Sequence, residues 1–274
     1  MGPVVAYNLT AMADGKGEIE LLLMGTGTSA GVPMIGCHCA VCTSTDAHDH
    51  RNRPGALVSY DGLNFLIDTT PELRLQCVRF GIDTIEAVVY THAHADHIMG
   101  LDDLRRFNAM CKGPLDIWAD APTHEALGKC FYYAFESPPA EMKIFRPVLN
   151  KRLIDGPFQL AGRTWTPVPL MHGEQEILGF RIGHMAYCTD VSAIPEPSFD
   201  LLRDLDVLVL DALQPRPHYT HFSLSQAVEA AARIGAKLTL FTHIAHTLPH
   251  AATNAMLPGN MRLGYDGERV AARG

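Results

Sequence analysis

The chain has 274 residues, with 22 basic against 30 acidic side chains, a formal net charge of -8, 47% hydrophobic and 19% charged residues. That length and composition exclude a disordered chain and suffice for one large α/β sandwich or two modest domains. The acidic balance argues against a protein that grips long nucleic acid through its phosphates, and no run approaches the roughly 18 apolar residues of a membrane span.

Residues 1–17 read as a loose leader, followed by a single domain over 18–274. The leader has no basic stretch leading into an apolar one, so no secretion signal is expected and the protein is placed in the cytoplasm. GEIELLLMGTG reads as a buried strand ending in a glycine-rich turn. GALVSYDGLNFLIDTT reads as two strands around an Asp61-Gly62 hairpin signal. PELRLQCVRFG has helical spacing and a glycine stop. EAVVYTHAHADH is a strand that runs into a histidine-rich loop. IMGLDDLRRFNAM and PTHEALGKCFYYAF read as helices, with the strand LDIWAD between them.

A proline-containing middle over 137–175 includes short strands such as RTWTPVPL. GFRIG and HMAYCTD form a strand pair, and LDVLVLDAL and KLTLFTH are buried strands. Between those two, SLSQAVEAAARIG is an amphipathic helix stopped by Gly235. Both halves are βαβ-like, and a four-layer αββα sandwich with its chemistry at strand ends fits best.

Three histidines and an aspartate fall within six residues, at His92, His94, Asp96 and His97. His92, His94 and Asp96 alternate just past a strand and so can point the same way, while His97 turns away. Imidazole and carboxylate suit zinc, iron and manganese. One short motif cannot surround two ions, so further ligands must come from other strand ends. His172 closes TPVPLMH, Asp190 closes HMAYCTD, and His243 closes KLTLFTH.

Cys37, Cys39 and Cys42 form CxCxxC, which suggests metal before disulfide in an intracellular protein. A structural zinc wants four closed ligands. Cys77, Cys111 and Cys130 fall on apolar helical faces and are expected in the core. Cys188 reads as packing. His38, His48 and His50 read as a solvated loop. The glycine-rich loop Gly25 to Gly31 either approaches a phosphate through its N–H groups or simply turns toward the cysteine cluster. Arg51, Arg53, Arg105 and Arg106 are candidate phosphate contacts, with solvated surface the expectation for most.

The stretches MGTGTSAGVPMIGCHCAVC, LIDTTPELR, VVYTHAHADHIMGLDDLRRFN, LMHG, YCTD, DALQPRPHYTHFSLSQAVE, FTHIAH and GYDG resemble the metallo-β-lactamase superfamily. Within it they are similar to the branch of phosphodiesterases typified by phosphoribosyl cyclic phosphate phosphodiesterase. The resemblance implies the metallo-β-lactamase sandwich and two catalytic divalent metals, zinc or manganese with iron also open. His92, His94 and His172 would hold one ion, Asp96, His97 and His243 the other, and Asp190 would bridge them. True β-lactamases use a cysteine near that last position. Asp190 here favours the side of the superfamily that holds phosphodiesterases, ribonuclease Z and glyoxalases.

The resemblance also implies His246 as fourth ligand of a structural zinc, and Asp68 as the residue that orients the histidine loop. The expected reaction is hydrolysis of a small phosphodiester, cyclic diesters included, by a hydroxide bridging the two ions. His221 is the candidate general acid at a loop lip, with His218 a weaker one. Asp96 belongs to both the metal set and the catalytic set. Competing readings are ribonuclease Z-like tRNA processing, glyoxalase-like thioester hydrolysis, and an iron-dependent oxidoreductase related to pyrroloquinoline quinone biosynthesis. Expected partners are the small phosphodiester substrate and neither membrane nor nucleic acid. Relatives often pair, so a homodimer is an expectation of the resemblance alone.

Overall fold

The structure is a computed structural model that describes residues 17–135 and 145–274. Residues 1–16 of the expected leader, and the start of the proline-containing middle, lie outside the described residues. Among the described residues, fourteen strands form two seven-stranded sheets. The first contains β1 (Glu18–Gly25), β2 (Gly55–Tyr60), β3 (Leu63–Ile67), β4 (Ala87–Val89), β5 (Leu115–Ala119) and β6 (Leu149–Leu153). The second contains β7 (Phe158–Leu160), β8 (Arg163–His172), β9 (Gln175–Ile182), β10 (Met185–Cys188), β11 (Val207–Asp211), β12 (Leu238–Thr242) and β13 (Met261–Leu263). β14 (Arg269–Arg273) returns to the first sheet and pairs with β1, giving the order β14-β1-β2-β3-β4-β5-β6. The second sheet runs β13-β12-β11-β10-β9-β8-β7.

Strand alternation makes the layers. Along β1, Ile19, Leu21 and Leu23 enter the core between the sheets, while Leu22 and Met24 face the helices outside. β3 and β12 divide in the same way, with Phe65, Ile67 and Leu240 inward and Leu66 and Phe241 outward. The shared core holds Trp165 and Phe180, both fully buried. Each such side chain contributes about 2 kcal/mol or more by leaving water. The one polar atom of Trp165 is satisfied, its indole N–H donating to the Tyr60 hydroxyl at 3.1 Å.

Helices α1 (Leu73–Phe80), α2 (Ala95–Ile98), α3 (Leu104–Cys111), α4 (Ala121–Cys130) and α5 (Tyr132–Phe135) belong to the first sheet's side. α6 (Glu196–Leu201), α7 (Leu224–Ile234) and α8 (His250–Asn254) belong to the second's. The result is the αββα sandwich. The boundaries follow local chemistry. Ser223 and Gln226 form a reciprocal capping box at the start of α7, and Gly235 ends it in the left-handed conformation. The stretch read as one helix from Ile98 is broken into α2, a 3-10 turn at Leu101–Asp103 and α3. The break falls at Gly100, where a Cβ would lie 2.0 Å from the Thr70 carbonyl oxygen.

Two cysteine expectations are corrected. Cys77 is buried, but Cys111 and Cys130 are exposed. Each stands at the last residue of its helix, where the buried stripe gives out. Cys188 is fully buried as packing between strand and helix layer.

Candidate metal centre

One end of the sandwich collects the strand ends that carry the chemistry. Asp68 follows β3, His92 lies just beyond β4, and His172 ends β8. Asp190 lies just beyond β10, Asp211 ends β11, and His243 follows β12. Asp68, Asp190 and His243 all have positive φ, at 65°, 60° and 58°. Non-glycine residues rarely adopt that conformation, and three at one place mark a site held together by its surroundings.

The imidazoles of His92, His94 and His172 meet around a common point, with ring centroids 4.6, 4.9 and 5.5 Å apart. Beside them Asp96, His97, Asp190 and His243 converge. The Asp190 carboxylate reaches both sides of that second group, 3.2 Å from His97 Nε2 and 3.2 Å from His243 Nε2. Asp96 Oδ2 lies 3.5 Å from His97 Nε2 and 3.6 Å from His243 Nε2. Two such ligands on one ion would stand roughly 3.3–3.4 Å apart. His92 Nε2, His97 Nε2, His243 Nε2 and Asp96 Oδ2 are buried without a hydrogen-bond partner among the described residues. Orphaned buried atoms are rare in native proteins, and these fall in the two adjoining groups, His92 in one and Asp96, His97 and His243 in the other. The donor set therefore fits divalent ions.

Three of the imidazoles, those of His97, His92 and His172, are oriented through their far nitrogen. His97 Nδ1 donates to Asp68 at 2.7 Å, and the same carboxylate accepts from the Thr91 N–H and hydroxyl, both at 2.8 Å. The Thr91 hydroxyl stands 3.0 Å from His92 Nδ1. His172 Nδ1 donates to the Asp190 carbonyl at 2.9 Å. Such contacts fix the tautomer and leave Nε2 free to ligate. Burial pushes the His92 and His172 rings below the usual imidazole value, which keeps them neutral and competent as ligands. Burial alone would raise Asp190, but His243 and His97 outweigh it and hold the carboxylate well below the usual range. His94 is the exposed member and opens the site to solvent.

His221 is buried inside the site rather than placed at the loop lip expected of it. Its ring is 4.7 Å from His172 and stacks 4.5 Å from His243. Its Nδ1 lies 3.2 Å from Asp211 Oδ2, which also accepts from the Val191 and Phe222 N–H groups, both at 3.1 Å. The other Asp211 oxygen stands 3.8 Å from His243 Nδ1. Burial raises the Asp211 carboxyl above its usual value, against the pull of His221. The sequence reading missed Asp211. The available signal was its place at the end of the apolar run LDVLVLD, like Asp68 after NFLI and Asp190 after HMAYCT.

A second cluster lies at the sequence's cysteines. Cys37, Cys39 and Cys42 place their sulfurs 3.2, 3.4 and 3.6 Å from His246 Nδ1. A tetrahedral zinc would hold sulfur and nitrogen roughly 3.6 Å apart. The Cys42 N–H draws the Cys39 thiol down to about 6, while burial pushes Cys42 up to about 11.

Arg51 corrects the expectation of solvated arginines. Its side chain is fully buried, and it donates to the carbonyls of Ala245 at 3.1 Å and Leu248 at 2.8 Å, bracketing His246. Arg53 is tied to Glu72 and to the Ser29 carbonyl, Arg105 pairs with Asp102, and Arg106 is exposed. The glycine-rich loop is a turn in which the N–H groups of Thr26, Gly27, Ala30 and Gly31 already have protein acceptors. Gly27 donates to Asn52, Gly31 to Thr28, and the Thr26 N–H and hydroxyl to the buried Asp266 of GYDG. His38, His48 and His50 are exposed, and His218 is exposed 5.4 Å from His221.

The sequence profile of the Beta-lactamase superfamily domain matches residues 63–244. A crystal structure described as a new diphosphatase from the PhnP family is 45% identical, with a TM-score of 0.87, covering 93% of this chain and 97% of that one. An octanoyltransferase of Porphyromonas gingivalis is 37% identical over 255 residues, or 91% of this chain. The chain spans about half of that relative's length, 51%. Zinc-bound PqqB from Methylobacterium extorquens shares the fold at 18% identity and a TM-score of 0.74, over 92% of this chain and 99% of that one. The chain belongs to the β-lactamase superfamily and, within it, to the PhnP family.

Proposed function

We propose that the chain is a dinuclear metal-dependent phosphodiesterase that hydrolyses a small phosphodiester, cyclic diesters included. The observation that carries this reading is the pair of ligand groups meeting at one carboxylate. His92, His94 and His172 would hold one ion, Asp96, His97 and His243 the other, and Asp190 would bridge them. Two ions so placed supply Lewis acidity to a phosphoryl oxygen and to water when bound. The protein's own groups do the rest. Asp68 and Thr91 hold the histidine loop rigid. Asp211 fixes His221 through Nδ1, leaving its other nitrogen beside His172 and Asp190 to hand a proton to the leaving alkoxide.

Cys37, Cys39, Cys42 and His246 would form a closed structural zinc site that braces the turn carrying His243. Three free thiols in one metal cluster favour the reducing cytoplasm, and no helix among the described residues is long and apolar enough to cross a membrane. A second reading, hydrolysis of a diphosphate linkage, is favoured by the relative described as a diphosphatase. The same two ligand groups and the same proton donor serve either bond.

The test is metal content by mass spectrometry on protein purified without added metal, with turnover of bis(p-nitrophenyl) phosphate on the same sample. Three ions per chain with turnover is the expected result. Cleavage of a dinucleoside diphosphate but of no diester would move the assignment to the second reading.

A further inference from the structure

The loop between β11 and α7 closes on itself and presents one aromatic ring beside the site. Its neck is pinned by Leu213 N–H to Phe222 carbonyl at 3.0 Å and Leu224 N–H to Gln214 carbonyl at 2.8 Å. Pro215 and Pro217 stiffen the strap that follows. At its tip Tyr219 is 70% exposed, two residues from His221. The inner side of that ring rests on Gly173, the residue after His172. A Cβ at Gly173 would lie 3.0 Å from Tyr219 Cε1 and 3.1 Å from the Thr220 methyl, and φ there is +64°, so glycine suits this close approach of the loop tip. The other large exposed Tyr and Phe rings among the described residues are Tyr132, in α5, and Phe145.

A large ring left in water, on a stiff loop, against a residue adjoining a candidate ligand, has no packing role that explains it. It offers a flat apolar face beside Gly173, which follows the candidate ligand His172, and two residues before His221. We propose that Tyr219 forms an aromatic subsite that stacks the base of a nucleotidic phosphodiester. This rests on the phosphodiesterase reading and names its substrate class. The loop is already closed, so ordering it on binding costs little. Base–aromatic stacking is sequence-tolerant and changes affinity by roughly ten-fold.

The experiment compares adenosine 2′,3′-cyclic phosphate with methyl riboside 2′,3′-cyclic phosphate, which differ only in the base, on the metal-loaded protein. The parent should prefer the adenosine diester in kcat/KM. Tyr219→Ala should lower that preference roughly ten-fold and Tyr219→Phe should keep it. A preference that Tyr219→Ala does not move overturns the subsite and leaves the phosphodiesterase reading standing. Cleavage of neither diester by the parent sinks that reading instead. Calorimetric binding then decides the subsite. Adenosine 5′-monophosphate binding more tightly than ribose 5-phosphate, with the difference lost in Tyr219→Ala, supports it. Equal affinities in the parent overturn it.

Discussion

Replacing Arg51 by methionine tests whether the two metal clusters share a mechanical support. The Arg51 guanidinium donates to Ala245 and Leu248, and it pairs with Asp49 at 3.2 Å. Asp49 in turn accepts from the His250 N–H at 2.8 Å. The backbone of Arg51 exchanges hydrogen bonds with Val32, at 2.7 and 2.9 Å. One residue therefore ties the approach to the cysteines, the Asp49 turn and the turn bearing His246. Methionine keeps the stem but leaves Asp49 buried without its counter-ion and two carbonyls without donors. Breaking a buried pair in this way costs ~3–5 kcal/mol. At ~2–4 °C per kcal/mol for a chain of this size, the melting temperature of the metal-loaded protein should fall by about 10 °C. Calorimetric melts of parent, Arg51→Met and Arg51→Lys should rank in the order parent, Lys, Met, because lysine keeps the charge but cannot span both carbonyls. The cysteine cluster should also lose zinc at lower chelator concentration in Arg51→Met. A variant that melts with the parent and holds its zinc equally well would refute the shared support.

Asp211→Asn should weaken the ion at Asp96, His97 and His243 by roughly 10–100-fold while sparing the one at His92, His94 and His172. The new amide NH2 faces His243 Nδ1 and drives the proton to Nε2, where the ion would sit; competition titrations with a chromophoric chelator read the two sites separately. Cys39→Ser should remove the zinc of the cysteine cluster and lower stability, and an unchanged zinc count would exclude that site. His221→Ala should slow diesters with poor leaving groups far more than nitrophenyl diesters, and equal slowing would remove its role as proton donor. His250 gives a pH prediction. Burial, with His48 and Arg51 nearby, lowers its ring from 6.5 to about 4. Above the unfolded value both states are neutral and nothing is lost. As pH falls from about 6.5 to about 4 only the unfolded chain takes the proton, so stability drops there, by roughly 1–3 kcal/mol, and the loss levels off below. Urea melts of His250→Gln should show a smaller loss across that window than the parent.

Much of the candidate site was readable because its spacing is local. His92, His94, Asp96 and His97 sit on one strand end and the turn after it, so their convergence needs only the backbone of those residues. The cysteines Cys37, Cys39 and Cys42 converge for the same reason. His172, Asp190 and His243 were found by a shared habit, each closing an apolar run, although the choice among many such residues leaned on resemblance. Asp211 has the same habit and was missed, since an aspartate ending a strand looks the same whether or not a histidine awaits it. Arg51 was misread because arginine is ordinarily solvated, and its partners at 245 and 248 are 194 and 197 residues away. Cys111 and Cys130 were misplaced because helical periodicity assigns a face but does not say where along the helix the cover ends.

What the sequence by itself determined was the local grammar. It specified the alternating strands, the capped α7, the Asp61-Gly62 hairpin, and two clusters of metal-competent side chains with too many ligands for chance. Tertiary structure decided which strand ends became neighbours. The order β13-β12-β11-β10-β9-β8-β7 sets His243, Asp211, Asp190 and His172 at one end of the strands, with Asp68 and His92 at the strand ends of the first sheet. No stretch of chain encodes that adjacency alone. It follows from the two sheets burying their inner faces against each other, a constraint that acts on the whole chain at once.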